Sequence, residues 1–261
     1  MVCAMIGRRL LAGIVLLLAL APAASAQQSQ NSVTRRADAV VELFTSQSCT
    51  QCPRGNRLLG TLTEDEHVLA LTFPVGIWDY LGWQDTLARP EFTDRQRNFA
   101  RALHLRGRFT PQLVINGAVS TGASDWDEAH ATLEAAQRTP LTPPPELTLT
   151  RVRTGRVRVA VGAAPRRDSA DVWLVSYDPG PVIVFVTGGL NLNRRIYHYN
   201  VVRDIDLLGQ WAGGPIYLEH DRCQPECAVI LQEPNGGRII AATYTAPRQP
   251  VTIRRERQPP A

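Results

Sequence analysis

Apolar residues in the first half of the chain form short continuous runs, separated by segments in which they recur at helical spacing. Three runs rich in β-branched and aromatic side chains predict buried strands, at residues 40–45, 68–73 and 113–115. Three amphipathic segments predict helices, at about residues 53–62, 90–104 and 125–138. Asn116-Gly117 predicts a tight hairpin turn into a further strand at Val119. The predicted order of elements is therefore β-α-β-α-β-β-α.

The second half of the chain shows strand-like patterns without helical spacing. Eight short strands are predicted, at residues 147–152, 157–161, 172–177, 182–186, 196–203, 216–219, 228–232 and 239–244. Such a series is typical of a β-sandwich or a small barrel. We therefore predict an α/β domain at 38–139, a proline-rich linker at 140–146 and an all-β, sandwich-like domain at 147–247. Residues 27–37 are predicted to be loose, and residues 248–261 to form a disordered tail.

Residues 1–26 have the pattern of a secretory signal peptide. Arg8 and Arg9 precede an apolar stretch at 10–20, and Ala24-Ser25-Ala26 gives a small-residue cleavage pattern. The alternative is an uncleaved N-terminal anchor, although the apolar stretch is shorter than the ~20 residues of a comfortable membrane span. We expect a periplasmic or secreted protein with no stable membrane span after cleavage.

The charge of the full chain narrows the possible partners and chemistry. The net charge is +4, it is carried by arginine, and the chain contains no lysine, which excludes Schiff-base chemistry on a lysine. The arginines are dispersed, and no nucleic-acid-binding motif accompanies them, so we expect no nucleic-acid partner.

The most informative motif is Cys49-Thr-Gln-Cys52, which follows the first buried strand. This spacing places one thiol at the start of a helix, where unpaired N–H groups favour a thiolate, and the second one turn further on. A strand that leads into such a pair is typical of a thioredoxin-like redox site, with Cys49 as nucleophile and Cys52 as resolving thiol. Half of a zinc site is the alternative for an isolated pair of this kind.

Two further residues fit a redox role. Glu42, on the strand before the pair, is a candidate to accept a proton from Cys52; the alternative is an edge-strand glutamate that faces solvent. Thr110-Pro111 precedes the third strand, and we expect a cis bond there that fixes the backbone beside the cysteines. Thr110 is then a candidate to pair with an extended substrate chain.

A dense aromatic block follows the second strand. Trp78 and Tyr80 are candidates for a substrate platform or lid beside Cys49, together with Trp83. The alternative is a core or interdomain contact. Asp79 and Asp85, in the same block, are expected to cap turns.

A second cysteine pair, Cys223 and Cys227, has three residues between its members. In an exported protein it predicts a local disulfide that clamps a turn. Two alternatives stay open: a relay pair for Cys49 and Cys52, or a soft-metal site for Cu(I) or zinc joined by His198 or His220. A hydrogen-bonded structural role is the default for each histidine.

Several of these segments resemble a known family. Glu42-Leu-Phe-Thr-Ser-Gln47, the Cys49–Pro53 motif and Thr110–Gly117 resemble a thioredoxin-fold core. Together with the blocks at 78–85, 92–96, 199–203 and 208–211, they resemble the exported bacterial family known as domain of unknown function 1223, over about residues 39–245. The resemblance implies the fold and no reaction. The Thr50-Gln51 dipeptide differs from the Gly-Pro of thioredoxin, so the direction of electron flow stays open.

The leading hypothesis is a thiol–disulfide oxidoreductase that needs no cofactor and acts on protein thiols or disulfides of the cell envelope. A copper- or zinc-handling protein that uses both cysteine pairs is the second hypothesis. A non-catalytic envelope binding module with structural disulfides is the third.

Overall fold

The computed structural model describes residues 32–138, 145–152, 155–165 and 169–247. Three α-helices are found in these ranges: α1 (Cys52–Leu62), α2 (Pro90–Ala102) and α3 (Trp126–Arg138). The strands before α3 are β1 (Ser32–Ala37), β2 (Ala39–Thr45), β3 (Val68–Pro74), β4 (Gln112–Ile115) and β5 (Val119–Gly122). The strands after it are β6 (Leu147–Arg151), β7 (Val157–Val161), β8 (Ala170–Asp178), β9 (Val182–Phe185), β10 (Arg195–His198), β11 (Val201–Trp211), β12 (Ile216–His220), β13 (Glu226–Gln232) and β14 (Ile239–Pro247).

The central element is a mixed sheet of nine strands in the order β1-β14-β13-β8-β11-β3-β2-β4-β5. Strand β3 runs parallel to both β2 and β11, and the other neighbours are antiparallel. Two smaller antiparallel sheets accompany it, β12-β7-β6 and the hairpin β10-β9. The fold is thus mostly β, with a mixed sheet and few helices.

Helices and the three-stranded sheet cover the two faces of the central sheet. On one face, Phe92 and Phe99 of α2 pack with Phe44 of β2 and Phe73 of β3. On the opposite face, α1 and α3 pack over the neighbouring residues of β2, β3 and β4, and strands β6 and β7 pack over β8 and β13. Because successive side chains of a strand point to opposite faces, each apolar residue of β2 belongs to one of these two cores. Strand β2 is buried along its whole length.

Most of the predicted elements before residue 139 are confirmed. Helix α1 begins at Cys52, one residue before the predicted start, and carries Pro53 in its first turn. Asp125 accepts hydrogen bonds from the N–H groups of Asp127 and Glu128, so it caps α3. Asn116 and Gly117 both have positive φ, as a tight hairpin requires.

The prediction for residues 27–37 is wrong for the part that the structure describes, because residues 32–37 form β1 and pair with β14. The segment predicted as one strand at 196–203 is divided into β10 and β11, and Asn200, with φ of 43°, lies between them. Strand β11 then continues to Trp211, well beyond the predicted end.

The strands from residue 147 onward are not confined to sheets of their own. Strand β11 pairs with β3, so strands from both predicted domains belong to the nine-stranded sheet. The division into two domains itself stays a prediction. The predicted signal peptide at 1–26, most of the predicted linker and the predicted tail at 248–261 lie outside the described residues. Within the described ranges, every helix is too short or too polar to cross a bilayer.

Candidate redox site

Cys49 and Cys52 form a disulfide, with a distance of 5.3 Å between their Cα atoms. Cys52 is the first residue of α1 and is completely buried, whereas Cys49 lies in the preceding turn and is partly exposed. The Cys49 carbonyl accepts a hydrogen bond from the Cys52 N–H at 3.2 Å. The Sγ of Cys52 accepts one from the Ser46 N–H at 3.4 Å. One cysteine of the pair is therefore partly exposed, and the other is enclosed by protein.

Pro111 lies beside this turn, as predicted. The Thr110–Pro111 bond is cis, and the carbonyl oxygen of Thr110 lies 3.6 Å from the Sγ of Cys49. Gly55 of α1 allows this approach, since a Cβ atom at that position would lie 2.7 Å from the Cβ of Pro111. The structure thus brings Cys49, Thr110 and Pro111 together at the start of α1.

The aromatic block lies at the edge of the same site. The indole N–H of Trp78 donates to the side-chain oxygen of Thr110 at 2.8 Å. The ring centroid of Tyr80 lies 6.1 Å from that of Trp78, and 74% of Tyr80 is exposed. The core alternative is therefore wrong for Tyr80. Trp78 is half-buried next to the residue that contacts Cys49.

Glu42 is placed differently from either prediction. It is fully buried on β2, an interior strand of the sheet, so the solvent-facing alternative is wrong. Its side chain points to the same face as Val40 and Phe44, while α1 packs on the opposite face against Val41 and Leu43.

Both carboxylate oxygens of Glu42 accept hydrogen bonds from Arg95 of α2, at 2.6 and 2.7 Å. Arg95 is itself buried and lies over the rings of Phe73 and Phe99. The carboxylate of Glu42 thus forms a buried ion pair on the face of β2 that points away from α1 and Cys52. This geometry corrects the predicted role as proton acceptor.

A network of buried polar groups that the sequence analysis missed holds the turn before the cysteines. Gln47 is buried, and its N–H donates to the carboxylate of Asp85 at 2.7 Å. Its side-chain oxygen accepts from the indole N–H of Trp83 at 2.8 Å, and Ser48 donates to the Trp83 carbonyl at 2.7 Å. The residues that follow β3 therefore fix the backbone at Gln47, two residues before Cys49.

Asp85 has the expected capping role, because its carboxylate also accepts from the N–H groups of Leu87 and Ala88. Burial raises its pKa from 3.8 to about 6, a shift to which the neighbouring Asp79 also contributes and which the hydrogen bonds to Gln47, Leu87 and Ala88 oppose. The carboxylate that holds the turn thus titrates close to neutral pH.

The same turn before the cysteines is also held by a residue from the second half of the sequence. Asn191, in a short 3₁₀ turn at Gly189–Asn191, donates from its side-chain amide to the carbonyls of Gln47 and Cys49, at 2.8 and 2.9 Å. No pattern in the sequence marks this residue, because its partners are more than 140 positions away.

Cys223 and Cys227 form the second disulfide. Both are buried in the core between β6–β7 and the central sheet, which agrees with a local structural clamp. His220 contacts the backbone of Arg222. Within the described ranges, no group of three or more His, Cys, Asp and Glu side chains is arranged to hold a metal ion.

His198 is completely buried, and the backbone of Val182 and Ile196 lies beside its ring. The hydrogen-bonded structural role expected of this histidine stays a prediction. Burial lowers its pKa from 6.5 to about 4, a shift that the backbone groups of Val182 and Ile196 oppose, so the ring is neutral at pH 7.

Comparison with known proteins places the chain in a family. The family model described as Protein of unknown function (DUF1223) matches residues 40–232, and the chain belongs to this family. The crystal structure of a protein from Agrobacterium tumefaciens is similar to it, with 27% sequence identity and a TM-score of 0.68. That similarity covers 84% of this chain and 98% of the other. No curated protein matches the chain.

Proposed function

We propose that this member of the DUF1223 family is an exported, thioredoxin-like thiol–disulfide oxidoreductase that uses Cys49 and Cys52. The observation that supports it best is the asymmetry of the pair. The Sγ of Cys49 is at a partly exposed position beside Thr110 and Pro111, whereas Cys52 is buried at the start of α1. A redox pair needs one sulfur within reach of a partner and one protected until the second step.

The chemistry can be written from the oxidised form. A substrate thiolate attacks the Sγ of Cys49, a mixed disulfide forms, and Cys52 leaves as a thiolate that the Ser46 N–H stabilises and that then takes up a proton. The second substrate thiol loses its proton and attacks the substrate sulfur of the mixed disulfide, and Cys49 leaves as a thiolate. Two electrons pass from the substrate to the protein pair, and the substrate gains a disulfide. The same steps in reverse reduce a substrate disulfide.

The order of elements from β2 to α3 supports the thioredoxin-like assignment. A strand, a helix that begins at the cysteine pair, a parallel strand, a helix, an antiparallel hairpin and a final helix follow one another. Pro111 precedes the third of these strands, at the position that faces the cysteines. We further propose that the protein acts in the periplasm or outside the cell, on protein thiols or disulfides of the envelope, because residues 1–26 have the pattern of a signal peptide.

Trapping of a mixed disulfide tests this proposal. In a Cys52→Ala variant the second step is blocked. Cys49 should attack the disulfide of an oxidised peptide and remain linked to one cysteine of that peptide as a mixed disulfide. The Cys49→Ala variant should trap nothing, since the remaining Cys52 is buried. Equal trapping by both variants, or by neither, would contradict the assignment of Cys49 as nucleophile. Mass spectrometry of the trapped species identifies the linked residue.

We assign the Cys223–Cys227 disulfide a structural role. Both sulfurs are buried in an apolar core, where an exchange partner has no access. The double variant Cys223→Ser/Cys227→Ser should unfold more easily, by about 2 kcal/mol from the chain entropy of so short a loop. Its rate of exchange at Cys49 should equal that of the wild type. A relay pair would instead lose turnover in this variant.

A further inference from the structure

Asn191 is the point at which the second half of the chain reaches the cysteine pair. Its side chain is fully buried, and its amide donates one hydrogen bond to the Gln47 carbonyl and one to the Cys49 carbonyl. Its side-chain oxygen accepts from the guanidinium of Arg194 at 3.2 Å, which fixes the orientation of the amide group. The amide group of Asn191 thus donates to the two backbone carbonyls on either side of residue 48.

Glycine residues make this approach possible. Gly189 has φ of +64°, and a Cβ atom there would lie 3.0 Å from the Cβ of Trp83. A Cβ atom on Gly188 would lie 2.7 Å from the carbonyl oxygen of Gly82. The 3₁₀ turn therefore packs directly on the aromatic block, which itself holds Gln47 through Trp83 and Asp85.

We propose that Asn191 is a positioning residue that sets the acidity of Cys49 and the reduction potential of the Cys49–Cys52 pair. The inference rests on the proposed function. The Cys49 carbonyl is shared between two donors, the Asn191 amide and the Cys52 N–H of the first helical turn. Asn191 thus holds the peptide group that carries the reactive sulfur in a fixed orientation relative to the start of α1.

The expected direction of the change in the pKa of Cys49 follows from the partial charges around it. The hydrogens of the Asn191 amide carry partial positive charge beside Cys49, and the fixed turn keeps its sulfur near the N–H groups at the helix start, so both favour the thiolate. Without the amide, the thiolate becomes less stable and the pKa of Cys49 rises. The reduced form loses the same stabilisation, so the pair becomes a stronger reductant.

The variant Asn191→Asp tests this inference in the full-length protein. It replaces the donor by a carboxylate oxygen that faces two carbonyl oxygens, without a change of size. Asn193→Asp is the matched control, because it adds the same charge two residues after Asn191, at an exposed position. The equilibrium constant with a reference dithiol should change at least tenfold for Asn191→Asp, about 30 mV toward more reducing. It should change less than twofold for Asn193→Asp.

The outcomes separate the inference from the proposed function. If the wild type exchanges and both variants have the same potential and the same pKa of Cys49, the positioning role is refuted and the proposed function stands. If the wild type does not exchange with any dithiol, both are refuted. A variant with a lower melting temperature but an unchanged potential shows a purely structural role, which also refutes the inference.

A measurement on the wild type covers the case in which Asn191→Asp does not fold. In the reduced protein, the side-chain amide resonances of Asn191 should titrate with the pKa of Cys49 and should exchange slowly with water. Resonances that are independent of pH across the Cys49 titration would overturn the inference.

Discussion

Glu42→Gln should separate the stability of the fold from its thiol chemistry. The substitution keeps the shape of the side chain and removes the charge that pairs with Arg95. In the wild type, Arg95 donates to both oxygens of Glu42 and only 7% of its side chain is exposed. The variant therefore leaves a buried guanidinium without its anion, among the rings of Phe73 and Phe99.

Removal of one partner from a buried ion pair typically costs about 3–5 kcal/mol, because the remaining charge stays buried. For a protein of this size, each kcal/mol lowers the melting temperature by roughly 2–4 °C. We therefore expect a decrease of about 6–20 °C. Asp94→Asn is the control, since its pair with Arg97 lies exposed on the same helix and should contribute less than about 1 kcal/mol.

Thermal melts and urea unfolding measure the stability, and the pH dependence of alkylation measures the thiols of the reduced protein. Glu42 lies on the face of β2 away from α1. The pH profile of the cysteine pair should therefore be the same in Glu42→Gln as in the wild type. A shifted profile with unchanged stability would refute the reasoning, because it would show that Glu42 exchanges protons with Cys52.

Three further predictions concern stability and pH. Gly55→Ala places a methyl group 2.7 Å from Pro111, so it should lower stability by about 1–3 kcal/mol and slow exchange at Cys49; Gly107→Ala, which has open space, should not slow it. Asp85 binds its proton more tightly in the folded chain, where its pKa is about 6, than in the unfolded chain, where it is 3.8. Its contribution to the free energy of unfolding is therefore full below pH 3.8 and falls by about 3 kcal/mol as the pH rises through 6. His198 acts in the opposite sense, because its pKa of about 4 makes stability fall by a similar amount as the pH decreases from 6.5 to 4. Urea unfolding at pH 4 to 7 should thus show that Asp85→Asn and His198→Gln change the wild-type slope of stability against pH in opposite directions, and slopes equal to the wild type in both variants would contradict both assignments.

The elements around the cysteines could be predicted because their sequence signals are local. Strands β2 and β3 are mostly apolar and are buried along their whole length, and Pro53 marks the first turn of α1. The turn at Asn116-Gly117 depends on two adjacent residues. The proximity of Pro111 to Cys49 followed from the order of the elements and the resemblance to a known core.

The parts that failed depend on partners far away in the sequence. Strand β1 is polar and gains its regular structure only by pairing with β14, some 200 residues later. The alternation of β2 did place Glu42 on one face, but nothing local showed that α1 would cover the other. Asn191 is an ordinary turn residue until the fold brings it to the carbonyl of Cys49. Long-range pairing therefore decided the features that sequence patterns did not reveal.

The most direct test of the central claim is the reduction potential of the Cys49–Cys52 pair, measured together with the pKa of Cys49 in the reduced protein. A catalytic pair predicts a pKa of Cys49 below the ordinary value of about 8.5 and a potential above about −300 mV. A pKa at or above the ordinary value, with a potential below that limit, would mark a permanent structural bond and contradict the account.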